Sequence, residues 1–99
     1  MAEVVVYVKS WCPFCHRALT LFDEKGVTVD VIDVEQESGR WREMLQRSQG
    51  RSTVPQIFIN GQHVGGSDEL YALEGLGRLD PLLAFPVRQL RQDLQGADE

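Results

Sequence analysis

Apolar positions recur with two different periods along this chain, and the changes between them mark its elements. Val4-Val5-Val6-Tyr7-Val8 is β-branched and does not alternate, the pattern of a central strand covered on both faces. From Phe14 the apolar residues fall at Phe14, Ala18, Leu21 and Phe22, the spacing of a helix with one buried stripe. Gly26 supplies its stop. Val27 to Val34 is β-branched again and alternates at first, which predicts a second strand. Strand, helix and strand in succession predict a parallel βαβ unit. Ser38 is then read as the cap of a second helix that carries Trp41, Met44, Leu45 and Ser48 on one face and stops near Gly50.

The second half follows a different rule. Pro55 cannot donate to a strand ladder, so a strand over Gln56-Ile57-Phe58-Ile59 starts behind it. Asn60-Gly61 is a strong signal for a type I′ hairpin turn, with a short return strand at His63-Val64 that Gly65-Gly66 breaks. Ser67-Asp68-Glu69 opens and caps a third helix with Leu70, Leu73 and Leu76 inward. Asp80-Pro81 reads as a cap and first position for a short segment containing Leu82, Leu83 and Phe85, which Pro86 interrupts. This order predicts an α/β fold, a mixed four-stranded sheet with helices on both faces in the thioredoxin-like arrangement, over residues 1–85. Residues 86–99 read as an extension, with Val87, Leu90 and Leu94 at helical spacing and a disordered end from Gln95.

Composition narrows the function classes. A chain of 99 residues, 42% hydrophobic and 25% charged, has the makeup of one ordinary globular domain. No apolar run approaches the ~20 residues of a membrane helix. Met1-Ala2-Glu3 does not begin a basic-then-apolar leader, so the expected setting is cytoplasmic, without a membrane partner. A net charge of −5 argues against nucleic acid as the partner. The acidic run Asp30, Asp33, Glu35, Glu37 and the basic run Arg40, Arg42, Arg47, Arg51 read as solvated faces. Cysteine is the informative residue. The chain has two, Cys12 and Cys15, and in a reducing compartment such a pair is reactive more often than structural.

A Cys-x-x-Cys at a strand-to-helix junction reads as a redox dithiol. With Cys12 as N-cap, Pro13 falls at the first helical position, where a missing N–H costs nothing. The Cys12 sulfur then meets the free amides of Phe14 and Cys15 and the positive end of the helix, which favour thiolate. Lys9 adds a charge of the same effect. Cys15, one turn further in, is more buried and close enough to form a disulfide. The pair sorts into an attacking Cys12 and a resolving Cys15. Other readings use the same residues. Two packed cysteines would not sit among Ser10, Pro13 and His16, and a haem attachment at Cys12–His16 needs export and an axial ligand that Met44, on a core face, does not supply. A zinc set of Cys12, Cys15, His16 and His63 lacks zinc-finger spacing, so no metal is expected. His16 reads as a surface residue, His63 as a hairpin residue, and Trp11 as packing beside the site.

Cys12-Pro13-Phe14-Cys15, Thr53-Val54-Pro55 and Gly65-Gly66-Ser67-Asp68, in this order, resemble the glutaredoxin family, dithiol class, from about Val4 to Leu83. Phe14 stands where that class usually has Tyr, and Ser67 where several members have a further cysteine. The resemblance implies a glutathione-dependent thiol–disulfide oxidoreductase, acting as a monomer on glutathionylated or disulfide-bonded client proteins with glutathione as co-substrate. It implies catalytic Cys12 and Cys15, and a glutathione site of Lys9, Pro13, Phe14, Thr53, Val54, Pro55, Gly66, Ser67 and Asp68. Amides at the Ser67 helix would take the γ-glutamyl carboxylate and Asp68 the ammonium. Val54, before a cis proline in the family, would offer its backbone as a short strand. Lys9 would meet the glycyl carboxylate, with Arg40 or Arg51 behind it. Two alternatives stay open, an iron–sulfur carrier, which usually has Gly after the first cysteine, and a redox protein recycled by a thioredoxin reductase.

Overall fold

The computed structural model describes residues 2–84; the segment around Phe85 and Pro86 and the extension to Glu99 lie outside the described residues. Its sheet is built on β1 (Val4–Val8), which pairs in parallel with β2 (Val29–Asp33) and antiparallel with β3 (Gln56–Ile59). β4 (Gln62–Gly65) closes a hairpin on β3, so the order is β2-β1-β3-β4. The hairpin turns at Asn60 (φ +53) and Gly61 (φ +79), the two positive values that a type I′ turn requires. Asn60 also ties the turn to the chain start, donating its N–H to the Glu3 carbonyl at 2.7 Å and accepting the Glu3 N–H at 3.0 Å.

β1 lacks alternation because both its faces are covered. Val4, Val6 and Val8 point to a cluster formed with Ala18, Leu21 and Phe22 of α1 (Pro13–Glu24), Leu70 of α3 (Ser67–Gly75) and Leu79 and Leu83 of α4 (Leu79–Ala84). Val5 and Tyr7 point the other way, to Phe58, Val34 and Met44 of α2 (Arg40–Arg47), with Trp41 and Leu45 packed against them. Tyr7 is fully buried on that side, and its hydroxyl, which donates to Glu43 and accepts from Arg47 Nη1 at 2.8 Å, satisfies the one polar atom it brings in. On the other side, Lys25 at the end of α1 joins Glu74 of α3 (2.9 Å) and Asp80 of α4 (2.7 Å).

Four helix boundaries differ from the sequence expectation. Ser38 does not cap α2; Gly39 at φ +83 turns the chain into it, while the Asp33 carboxylate takes the loop amides of Glu35 and Gln36 at 2.9 and 3.2 Å. Gly66 rather than Ser67 is the N-cap of α3, and Glu69 reaches back to accept the Gly66 N–H at 2.7 Å, the return half of a capping box. α3 ends at Gly75, so Leu76 falls outside its stripe and is 68% exposed. α4 starts at Leu79, one residue before the expected cap, which leaves the Asp80 carboxylate free to pair with Lys25. No helix among the described residues is long and apolar enough to cross a membrane.

Candidate active site

β1 delivers the chain to one end of the sheet, where Cys12, in extended conformation, caps α1 and Pro13 takes the first helical position. Of the two amides expected to reach the Cys12 sulfur, only that of Cys15 does so among the described residues, donating to Sγ at 3.1 Å. The Cys12 thiol in turn donates to the Val54 carbonyl at 3.6 Å, and the Val54–Pro55 bond is cis. Both thiols are free, and they are unlike. Cys12, 9% exposed, stands at the helix terminus; Cys15, 2% exposed, is a turn inside. Burial, together with the hydrogen bond to Cys12 and the nearby Asp33, pushes the Cys15 thiol up to about 12, against the opposing effect of a hydrogen bond with the Lys9 backbone. At neutral pH Cys15 is therefore a protonated thiol, suited to give up its proton late.

That difference has a measurable sign. Only thiolate is alkylated, so labelling of Cys15 by iodoacetamide, followed by peptide mapping, should rise about tenfold per pH unit through about pH 10 without a plateau. A plateau below pH 9 would show that burial does not hold the proton. Between the ordinary value of 9.0 and about 12, the folded chain binds the Cys15 proton and the unfolded chain does not. Stability is thus unaffected by this group below about pH 9 and falls as pH rises through that window.

Next to the Cys12 sulfur, on the side of Val54, lies a cavity of about 150 Å³ lined by Phe14, Arg51, Thr53, Val54, Pro55, Gly66, Ser67, Asp68 and Glu69. Most of the expected glutathione contacts therefore converge on one place, although three segments of the chain supply them. Pro13 is not part of that wall; it lines a second depression with Ser10, Trp11, Cys12 and His16. Lys9 does not line the cavity; its ammonium rests 4.7 Å from the centre of the Trp41 ring. Arg40 is held on α2 between Glu37 and Glu43. Arg51 is the guanidinium that reaches the cavity, and it faces Glu69 at 3.5 Å. Trp11 does not pack against the site as expected: it precedes the Cys12 cap, before α1 begins, and is 95% exposed.

Sequence reasoning missed Glu69 and the support behind Thr53. Gln56 is fully buried, yet its amide donates to the Thr53 carbonyl at 3.0 Å and to Thr53 Oγ1 at 3.1 Å, and its Oε1 accepts from His63 Nε2 at 2.7 Å. Burial and the Arg51 charge hold His63 below its usual range, so a neutral imidazole with its proton on Nε2 serves. The signal was available: an amide side chain on a strand otherwise made of Ile57, Phe58 and Ile59 must find partners inside. The zinc set is not brought together; among the described residues no group of three or more His, Cys, Asp or Glu could hold a metal ion.

A mixed sheet of this order, with a free dithiol of unequal burial opening the helix after its central strand, defines a thiol–disulfide oxidoreductase of the thioredoxin-like class. The comparisons narrow the class. A family model for glutaredoxin matches residues 4–64. The chain is 52% identical over 83 residues to glutaredoxin 3 of Escherichia coli (strain K12), covering 84% of this chain and 99% of that protein. Among solved structures, buckwheat glutaredoxin in complex with glutathione superposes with a TM-score of 0.77 at 36% identity, over 84% of this chain and 77% of that one. The glutaredoxin of Brucella melitensis gives 0.73 at 47% identity, over 84% and 89%. The chain belongs to the glutaredoxin family.

Proposed function

We propose that this glutaredoxin reduces protein–glutathione mixed disulfides and protein disulfides with glutathione as co-substrate. The observation that carries the reading is the polar cavity beside Cys12, whose wall holds the Arg51 guanidinium, the Asp68 carboxylate and the start of α3. Glutathione carries two carboxylates and one ammonium, and this wall offers each a partner of opposite charge or a free amide. In this reading the γ-glutamyl carboxylate meets the free amides at the start of α3 around Ser67, and Asp68 takes the ammonium. The backbone of Thr53 and Val54 pairs with the tripeptide, and Phe14 and Pro55 flank it. Gly66 gives access, since a Cβ there would come within 3.3 Å of the Pro55 carbonyl. Arg51 takes the glycyl carboxylate; Lys9 joins it only by leaving the Trp41 ring. Pro13 sets the start of α1. The relative from buckwheat, solved with glutathione, supports the reading.

The exchange runs in balanced steps. Cys12 thiolate attacks the glutathione sulfur of a mixed disulfide, forming Cys12–S–SG and expelling the protein thiolate, which takes up a proton. A second glutathione, as thiolate, attacks the same glutathione sulfur; glutathione disulfide forms and Cys12 leaves as thiolate. On a protein disulfide the Cys12 thiolate attacks one client sulfur; the client S–S bond breaks, and the other client sulfur leaves as thiolate and takes up a proton. Cys15 then gives up its proton and attacks the Cys12 sulfur, and the first client sulfur leaves as thiolate, with a Cys12–Cys15 disulfide behind. Client proteins of the cytoplasm fit a dithiol that must be kept reduced.

A coupled assay tests this. NADPH should be consumed with glutathione and glutathione reductase, and not with thioredoxin reductase alone; the opposite preference sinks the reading in favour of a thioredoxin-like electron route. In the first assay Arg51→Ala should raise KM for glutathione about tenfold with kcat within about twofold, and an unchanged KM would remove Arg51 from the site. Visible absorption by the purified protein under reducing, anaerobic conditions would point instead to the cluster-carrying alternative.

A further inference from the structure

The Cys12 sulfur stands at a boundary between two unlike surfaces. On the side of Val54 lies the charged cavity. On the other, Cys12 itself forms part of a depression of about 630 Å³ shared with Ser10, Trp11, Pro13 and His16. Nothing in that lining is a carboxylate, ammonium or guanidinium. The large apolar side chains that the described residues expose are Trp11, Phe14, Val31 and Leu76, and two of these four lie within two positions of Cys12. The two tryptophans make the contrast. Trp41 packs against the cluster beneath α2, whereas Trp11, at 95% exposed, covers nothing and contributes almost nothing to the fold. An indole kept in water beside a reactive sulfur marks a contact surface.

We propose that Trp11 and the depression beside it are the client subsite, and that the occupant is an extended polypeptide stretch with an apolar side chain next to its disulfide-bonded cysteine. Continuity with the reacting atom fixes the occupant. Thiol–disulfide exchange joins a client sulfur to Cys12 at about 2.05 Å. With about 3.3 Å of rise per extended residue, the client residues flanking that cysteine have to lie against the walls around Cys12. Glutathione, with its charges, belongs to the other side, and to that extent the proposal rests on the reading above. The indole face takes the flanking apolar side chain, and its N–H donates to the client backbone. Trp11 thereby selects among disulfides by sequence.

The test leaves glutathione out, so its failure is separable from failure of the glutathione reading. Reduced protein is mixed in a single turnover with two cyclic peptide disulfides that differ only in having Leu or Ser after the attacked cysteine. Rates are referred to that of hydroxyethyl disulfide, which is too small to span the depression. The unaltered protein should prefer the Leu peptide about tenfold. Trp11→Ala should bring the ratio close to one, and Trp11→Phe should keep most of it. An equal rate for both peptides with the unaltered protein overturns the proposal, as does a preference that survives Trp11→Ala. Equal slowing of hydroxyethyl disulfide and both peptides by Trp11→Ala also overturns it, since the indole would then support Cys12 and not the client.

Discussion

Cys12→Ser should lower disulfide-exchange activity by at least about 10³-fold, because a serine hydroxyl stays un-ionised where the thiolate must attack and later leave. The companion variant makes the result specific. In Cys15→Ser the sulfur at the cap remains, so reduction of a protein–glutathione mixed disulfide should persist within about threefold, while reduction of an intramolecular protein disulfide stalls as the Cys12 adduct. The geometry argues for this asymmetry. Cys12 accepts the Cys15 N–H at the helix terminus, whereas the Cys15 thiol is pushed up to about 12 by burial and acts only once Cys12 is already bonded. Both branches are read by following glutathione disulfide release and by mass spectrometry of the trapped adduct. Activity surviving in Cys12→Ser, or lost equally from both variants on the mixed disulfide, would reverse the two roles.

The second large effect is expected at Gly65, which no catalytic argument names. Gly65 sits at φ +120, and a Cβ there would come within 2.8 Å of Glu69 Oε1 and 3.0 Å of Arg51 Nη1. The side-chain ends can move aside; the backbone cannot, and residues other than glycine reach that region only with strain of about 1–3 kcal/mol. Moving Glu69 also removes the acceptor for the Gly66 N–H, worth roughly another 1 kcal/mol at a helix start. Gly65→Ala should therefore cost about 2–3 kcal/mol and lower Tm by roughly 10–20 °C in a domain of this size. It should also weaken glutathione binding, because Arg51 and Glu69 both line the cavity. Thermal unfolding within roughly 3 °C of the unaltered protein would show that the segment relaxes without strain.

How much of this was legible in the sequence depends on whether the signal is local. β1, α1 with its Cys12 cap and Pro13 start, and the Asn60-Gly61 turn were readable because a few adjacent residues dictate the backbone there. The resemblance carried the gathering of Phe14, Thr53, Val54, Pro55, Gly66, Ser67 and Asp68, which spacing alone could not place in one cavity. What escaped was decided across the fold. Lys9 and Arg51 look alike as surface cations, and only tertiary packing lays one on Trp41 and brings the other to the cavity. Ser38 is a good cap by type, but the loop amides find Asp33, a residue of the preceding strand. Trp11 reads as packing beside the site, and only the folded structure shows the indole 95% exposed.

The contact between the Cys12 thiol and the Val54 carbonyl couples two events that a mechanism would otherwise have to coordinate. While the sulfur keeps its proton, it donates to one of the two lone pairs of that oxygen. When the proton goes, that oxygen loses the hydrogen it accepted and faces an anion, and in the proposed reading an arriving peptide N–H would relieve the repulsion. On that reading one deprotonation would ready both the nucleophile and its landing ledge.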